Sequence, residues 1–383
     1  MGKVSVTPTV LKWARVSSNM SIDEVADKMG KSSDTIISWE MGKDQPTYVQ
    51  LEKLAYSVYK RPIAIFFFPE EPDIDDPRKE FRTLPDFEYE SLPYTVVRLF
   101  RKAQALQLNL QELFQGNNPS DKFILEKISI SKKIDMDSLV KDVREILGVS
   151  LEDQIEWKSI TQALKSWRKA FENCGIFVFK DAFKYDEVSG FCLYDKEFPI
   201  IYINNSMPKT RQIFTLFHEL AHLIFGIGGV FKIDDSFIST LSSHDQKIEK
   251  FCNKFAGEFL VPDSEFDSQI SGSEINDKLV FSLANRYSVS REVILRKLLD
   301  RDLISKTLYK EKAEFWKKEA QGFKNKGNSG NYYNTKINYL GDSYLDIVLR
   351  EYYKNKINVY QVADYLDIKV DNIPSLEAHY MSR

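Results

Sequence analysis

Cysteine and histidine are scarce in this chain, at three and four in 383 residues. Cys174, Cys192 and Cys252 have no C-x-x-C spacing, which excludes a thiolate zinc ribbon and a disulfide framework. Small buried thiols in a reducing compartment are the expectation. Charge of one sign is also lacking. The formal net charge is −3, so no overall field draws the molecule to a polyanion. The longest apolar run, residues 63–68, is too short to span a bilayer, and no apolar stretch follows Met1. No nucleotide-binding loop or internal repeat is present. The expectation is a cytoplasmic globular protein of about two to four domains, with no membrane partner.

Two of the four histidines stand in one pentapeptide, His218-Glu219-Leu220-Ala221-His222. Four residues is about one helical turn, so the spacing stacks both imidazoles on one helix face, within reach of one metal ion. Glu219 then projects beside the metal, placed to take a proton from water. Around the pentapeptide lie Ile213, Phe214, Leu216, Phe217, Leu223, Ile224 and Phe225, so this helix is buried nearly all round. Arg211, Thr215, His218, Glu219 and His222 interrupt it. Burying these five polar groups without partners would cost several kcal/mol, and a metal removes much of that cost.

An open zinc site needs a third protein ligand. No H-x-x-G-x-x-H continuation follows, which excludes the metzincin arrangement. Downstream, Glu249, Asn253, Ala256 and Leu260 share one face of a helix ending at Pro262, while Glu258 lies half a turn out of phase. The small Ala256 permits close approach to the His helix and favours Glu249. His244, just before this helix, is the alternative ligand, or else a catalytic donor to the oxyanion. Tyr202 and Arg211 are the other oxyanion candidates.

Ahead of the His helix, residues 157–173 read as a helix, and residues 176–179, 190–194 and 199–203 as short strands. The third strand is expected to take an extended substrate by strand addition. Nearer the N-terminus, Ser21 and Glu24 form a capping box, Gly30 ends that helix, and a second runs from Ser32 or Ser33 to Gly42. Ala26, Gly30, Ile36 and Trp39 fall where a helix-turn-helix needs a small residue, a turn and two locking side chains. Prolines 62, 69, 72 and 77 mark a boundary near residues 70–80. Residues 92–147 read as helical, and residues 274–305 as a helical pair packed on the domain before it. Residues 310–326 follow as a mixed-charge helix, then a linker at 327–331 and two Tyr-rich helices within 343–368.

Residues 9–70 resemble the XRE (Cro/repressor-like) helix-turn-helix. The resemblance implies DNA contacts from Lys31, Ser32, Ser33, Thr35, Ser38 and Lys43. The alternative for these residues is a helical interaction module. Residues 1–70 carry a net charge of only about +1, and the second helix has no Arg, the commonest base reader.

The larger part of the chain resembles the ImmA/IrrE family of metallopeptidases that carry such an N-terminal domain. The matching residues are Phe81-Arg82, the stretch 199–204, and Arg211 through His222. Glu249, Cys252, Asn253, Phe255 and Ala256 continue the match, as do Leu260-Val261-Pro262, Val289-Ser290 and Leu303-Ile304-Ser305. The resemblance implies Zn2+ held by His218, His222 and Glu249, with Glu219 as catalytic base. Cys252 stands where many relatives carry Ala. It also implies a regulatory protease that cleaves a protein partner, in particular a repressor.

The expected fold class is α+β, mostly helical. A helix-turn-helix bundle at 1–70 precedes a helical scaffold at 71–154. A zincin-like domain with a small sheet and a trailing helical module occupies 155–310, and a linker with a helical tail fills 311–383. A DNA-binding regulator with a non-catalytic zinc site is the competing function, and a protein-binding scaffold is a third. The sequence sets no oligomeric state; a dimer is compatible with it.

Overall fold

The computed structural model describes residues 2–72, 92–128, 135–232, 235–323 and 331–383. The 73–80 part of the expected boundary, Phe81-Arg82 and most of the 327–331 linker lie outside them. Contacts divide the chain into two units, Met1–Gln104 with Phe183–Tyr185, and Ala105–Ala182 with Asp186–Arg383.

The first unit is helical. It holds α1 (Pro8–Val16), α2 (Ile22–Met29), α3 (Ser33–Glu40) and α4 (Tyr48–Glu52), which runs on as a π-helical turn over Lys53–Tyr59. Ser21 caps α2, accepting from the Glu24 amide while the Glu24 carboxylate accepts from the Ser21 amide. Gly30 closes α2 at φ 66°, a left-handed conformation that costs glycine little. Ala26, Ile36 and Trp39 are buried in one core with Val25, Leu51 and Leu54, as the turn pattern requires.

In the second unit, helices surround a four-stranded sheet. The helices ahead of it are α5 (Tyr94–Leu113, which begins in the first unit), α6 (Met136–Leu147), α7 (Leu151–Glu156) and α8 (Ile160–Asn173). Ser159 caps α8, so residues 157–159 fall outside the helix expected to begin at Trp157. The strands are β1 (Phe177–Asp181), β2 (Val188–Leu193), β3 (Ile200–Asn204) and β4 (Gly229–Lys232), in the order β1-β3-β2-β4. β3 pairs parallel with β1 and antiparallel with β2. Both its edges are therefore used, and the expectation that it adds a substrate strand is corrected. β4 was not anticipated. Four residues after a Gly-rich turn carry too little periodicity to mark a strand.

Between β3 and β4 runs the His helix α9 (Lys209–Ile224), and after β4 comes the Glu helix α10 (Ser243–Leu260). An aromatic cluster fixes α9 between α8 and α10. Trp167 meets Phe217 edge-on at 4.8 Å, and Phe217 stacks on Phe259 at 4.2 Å. Burying rings of this size contributes about 1.5–3 kcal/mol each. The C-terminal end of α10 is tied by the buried Gln154 of α7, whose amide donates to the carbonyls of Leu260 and Tyr287 at 2.9 Å. The helices α11 (Asp263–Ile270), α12 (Asp277–Tyr287), α13 (Arg291–Leu299) and α14 (Lys306–Phe323) follow. Val280, Leu283, Ile294 and Leu298 share the core of the His and Glu helices, so the 274–305 pair packs on this domain as expected. The C-terminal region holds the two helices expected within 343–368, here α16 (Asp342–Tyr353) and α17 (Val359–Leu366), flanked by α15 (Tyr332–Leu340) and α18 (Ile373–Met381).

No helix of the described residues is long and apolar enough to cross a membrane.

Candidate metal centre

His218 and His222 project from consecutive turns of α9, and their Nε2 atoms lie 3.1 Å apart. Glu249 reaches them from α10. Its Oε2 stands 3.4 Å from His218 Nε2 and its Oε1 3.3 Å from His222 Nε2. These spacings can be tested against a metal. Four donors at about 2.0–2.1 Å from a tetrahedral ion sit about 3.3 Å from one another. Each imidazole lies near that distance from the other and from one Glu249 oxygen, one donor atom from each side chain falls within 4.8 Å of the rest, and no other His/Cys/Asp/Glu group of this kind occurs among the described residues. The orphaned atoms agree. Both carboxylate oxygens of Glu219, and Oε2 of Glu249, are buried with no hydrogen-bond partner among the described residues. Carboxylates in that state are expensive to ionise, and a cation held beside them offsets the cost.

The electrostatics of the two imidazoles differ. Burial works against the protonated form of His222, but Cys252 and Glu249 hold its imidazole above its ordinary range, so a metal must displace its proton. Burial holds the His218 imidazole down to about 4, so it is neutral, with a free lone pair. Burial opposes ionisation of Glu249, but the imidazoles outweigh it and keep the carboxyl below its ordinary range. Burial pushes the Glu219 carboxyl up to about 8. His218 Nδ1 lies 3.0 Å from Asn253 Oδ1, one turn along from Glu249. Asn253 shares the Glu249 face, but the sequence assigns it no role.

The other candidates are placed elsewhere. His244 is exposed in the first turn of α10 and is not brought into the group. Glu258 accepts from Lys297 Nζ at 2.8 Å. Tyr202 is buried in the sheet, stacked on Phe191 at 5.1 Å. Arg211 donates to Ser189 Oγ at 3.0 Å and to the Lys232 carbonyl at 3.3 Å. Cys174, Cys192 and Cys252 are buried free thiols. Two residues close to the ligands had no signal in the sequence. Phe231 of β4 stacks on the His218 ring at 3.8 Å, and Gly229 runs beside His222.

On α3 and its flanks, Lys31, Ser32 and Lys43 are exposed, while Ser33, Thr35 and Ser38 are half-buried. Two of the hydroxyls have local work. Ser32 accepts from the Thr35 amide as the α3 cap, and Ser33 Oγ donates to Asp23 Oδ1 at 2.5 Å.

With this geometry established, known proteins give two matches. Residues 171–299 match the IrrE N-terminal-like domain of the M78 peptidases, and residues 11–55 match a helix-turn-helix family. Over 115 residues the chain is 32% identical to the radiation response metalloprotease IrrE of Deinococcus deserti. That match takes in 28% of this chain and spans only 38% of the relative's length. Both resemblances drawn from the residues are met, and the chain joins an N-terminal helix-turn-helix domain to an IrrE N-terminal-like peptidase domain.

Proposed function

We propose that this chain is a zinc-dependent endopeptidase that acts as a regulatory protease. It cleaves a repressor-type or other protein partner in the cytoplasm and is targeted by its own helix-turn-helix. The observation that carries this reading is the convergence of His218, His222 and Glu249, with the imidazole Nε2 atoms 3.1 Å apart and each 3.3–3.4 Å from one of the two Glu249 oxygens, beside the unpartnered carboxylate of Glu219. Zinc held there supplies Lewis acidity toward a peptide carbonyl and toward water. Glu219 is the one carboxylate at the site not directed at the other ligands, and it serves as the base that takes a proton and returns it to the leaving amine. Asn253 fixes the His218 ring so that Nε2 faces the centre. Residues 1–70 serve as the DNA-reading module and residues 155–310 as the catalytic one, with 71–154 as scaffold and 311–383 as linker and tail.

Metal content and cleavage test this together. About one zinc per chain is expected, weakened by Glu249→Ala and retained in Glu219→Gln. Cleavage of the partner should vanish in Glu219→Gln, and full cleavage by that variant would overturn the mechanism. A second reading, a DNA-binding regulator with a non-catalytic or sensory zinc site, is favoured by one observation. His218, Glu219 and His222 are 0% exposed and Glu249 is 1% exposed. Zinc binding without any cleavage would establish it.

A further inference from the structure

A polypeptide cannot reach side chains sealed this completely, so either the site never acts or part of its cover moves. The cover includes β4. The Phe231 ring lies flat over the His218 imidazole, with centroids 3.8 Å apart and planes 17° apart. Gly229 passes so near His222 that an added Cβ would stand 2.7 Å from the ring. β4 is also an edge strand: among the described residues it pairs with β2 alone, through a ladder interrupted by a register shift.

Arg211 secures it there. The β2–β4 pairing slips between Val188 and Gly190, a bulge that leaves Ser189 out of the ladder. Arg211 stands seven residues before His218, on the same face of α9. Its Nε donates to Ser189 Oγ at 3.0 Å, and its Nη2 to the Lys232 carbonyl at 3.3 Å. Its guanidinium also lies 4.2 Å from the Phe231 ring centroid. One side chain thus holds the bulge of β2, the end of β4 and the ring that covers a metal ligand. A half-buried cation spent on these contacts is poorly placed to serve an oxyanion.

We propose that β4 is a gate over the metal centre, with Phe231 as its plug and Arg211 as its latch. This rests on the metal-site reading above and deepens it. The fold described is the closed state, and the proteolytic site is exposed when β4 leaves the Arg211 latch. Phe231 and Arg211 are positioning residues that act through access to the ligands. The gate reconciles a competent ligand set with a sealed one.

The test is the rate at which the zinc-loaded, full-length chain gives up its metal to an excess of chromogenic chelator, with zinc per chain measured beforehand. Phe231→Ala removes the ring contacts to His218, Arg211 and Phe214 and should speed release at least about tenfold. Phe231→Tyr, which keeps the ring, should restore slow release; a merely structural defect would not follow ring stacking in this way. Arg211→Lys keeps the charge but loses the fork, and should also speed release. If Phe231→Ala does not fold, Arg211→Lys decides the matter. Release within about twofold of the unmodified chain, in variants that still bind zinc, overturns the gate and leaves the metal reading standing. Failure of the unmodified chain to bind zinc overturns both.

Discussion

An imidazole offers Nε2 to a metal only when its proton sits on Nδ1, and a hydrogen-bond acceptor at Nδ1 enforces that tautomer. Asn253 Oδ1, 3.0 Å from His218 Nδ1, is such an acceptor. Asn253→Ala should therefore weaken zinc binding about 10–100-fold while leaving about one site per chain. Competition against a chelator of known affinity measures it, and an unchanged affinity would deny Asn253 this role. Much at this scale was legible in the sequence. The four-residue spacing brought His218 and His222 together, and helical phase separated Glu249 from Glu258, which turns to Lys297 instead. The partner of His218 was within reach of the same reasoning, since Asn253 lies one turn from Glu249 on the face toward α9. Phe231 and Gly229 were not. Their importance comes from a strand laid across the ligands, and no local pattern encodes that contact.

At the scale of elements, periodicity located the helices and three of the strands, but strand order is set by tertiary pairing. Residues 199–203 read equally well as an edge or a central strand, because an apolar run does not record how many neighbours it pairs with; β3 proved central. Polar residues inside such strands record their surroundings. Lys180 of β1, only 5% exposed, is paired with Ile203 across the ladder. Burial, aided by Arg168 and Lys209, lowers its ammonium to about 7 despite the opposing Glu172. The folded form thus binds this proton more weakly than the unfolded chain, whose lysines titrate near about 10.4. Below pH 7 the lysine is charged in both states and the folded state bears the full penalty. Between about pH 7 and 10.4 the unfolded state holds more protons, so this contribution to stability rises with pH. Lys180→Met should accordingly stabilise the fold, by several kcal/mol at pH 6 and by visibly less at pH 9, at about 1.4 kcal/mol per tenfold change in proton affinity. Urea unfolding at the two pH values measures this. A gain equal at both would show that side-chain packing, and not the buried charge, is responsible.

For the whole molecule, charge governs how the helix-turn-helix can work. With 53 basic and 56 acidic residues, the chain has no long-range attraction for DNA, so binding must rest on a few local contacts. Several cations of the first unit are already committed. Arg15 pairs with Glu40 at 2.8 Å, Lys3 pairs with Asp44, and Arg61 is buried over the Trp13 ring. Lys31 and Lys43, exposed beside α3, remain the natural phosphate contacts on the proposed face. Each phosphate neutralised contributes a slope of about −0.9 to log K against log salt, so a slope of about −2 to −4 is expected for the isolated contacts this surface offers. Lys31→Ala and Lys43→Ala should each reduce it by about 1, whatever the DNA sequence. Anisotropy titrations of the full chain on a labelled duplex over a range of salt would measure this. A shallow slope that falls stepwise with the two substitutions places the DNA on α3. A steep slope indifferent to them would move the contact to another surface, and no binding at low salt would leave the module as a protein-docking unit.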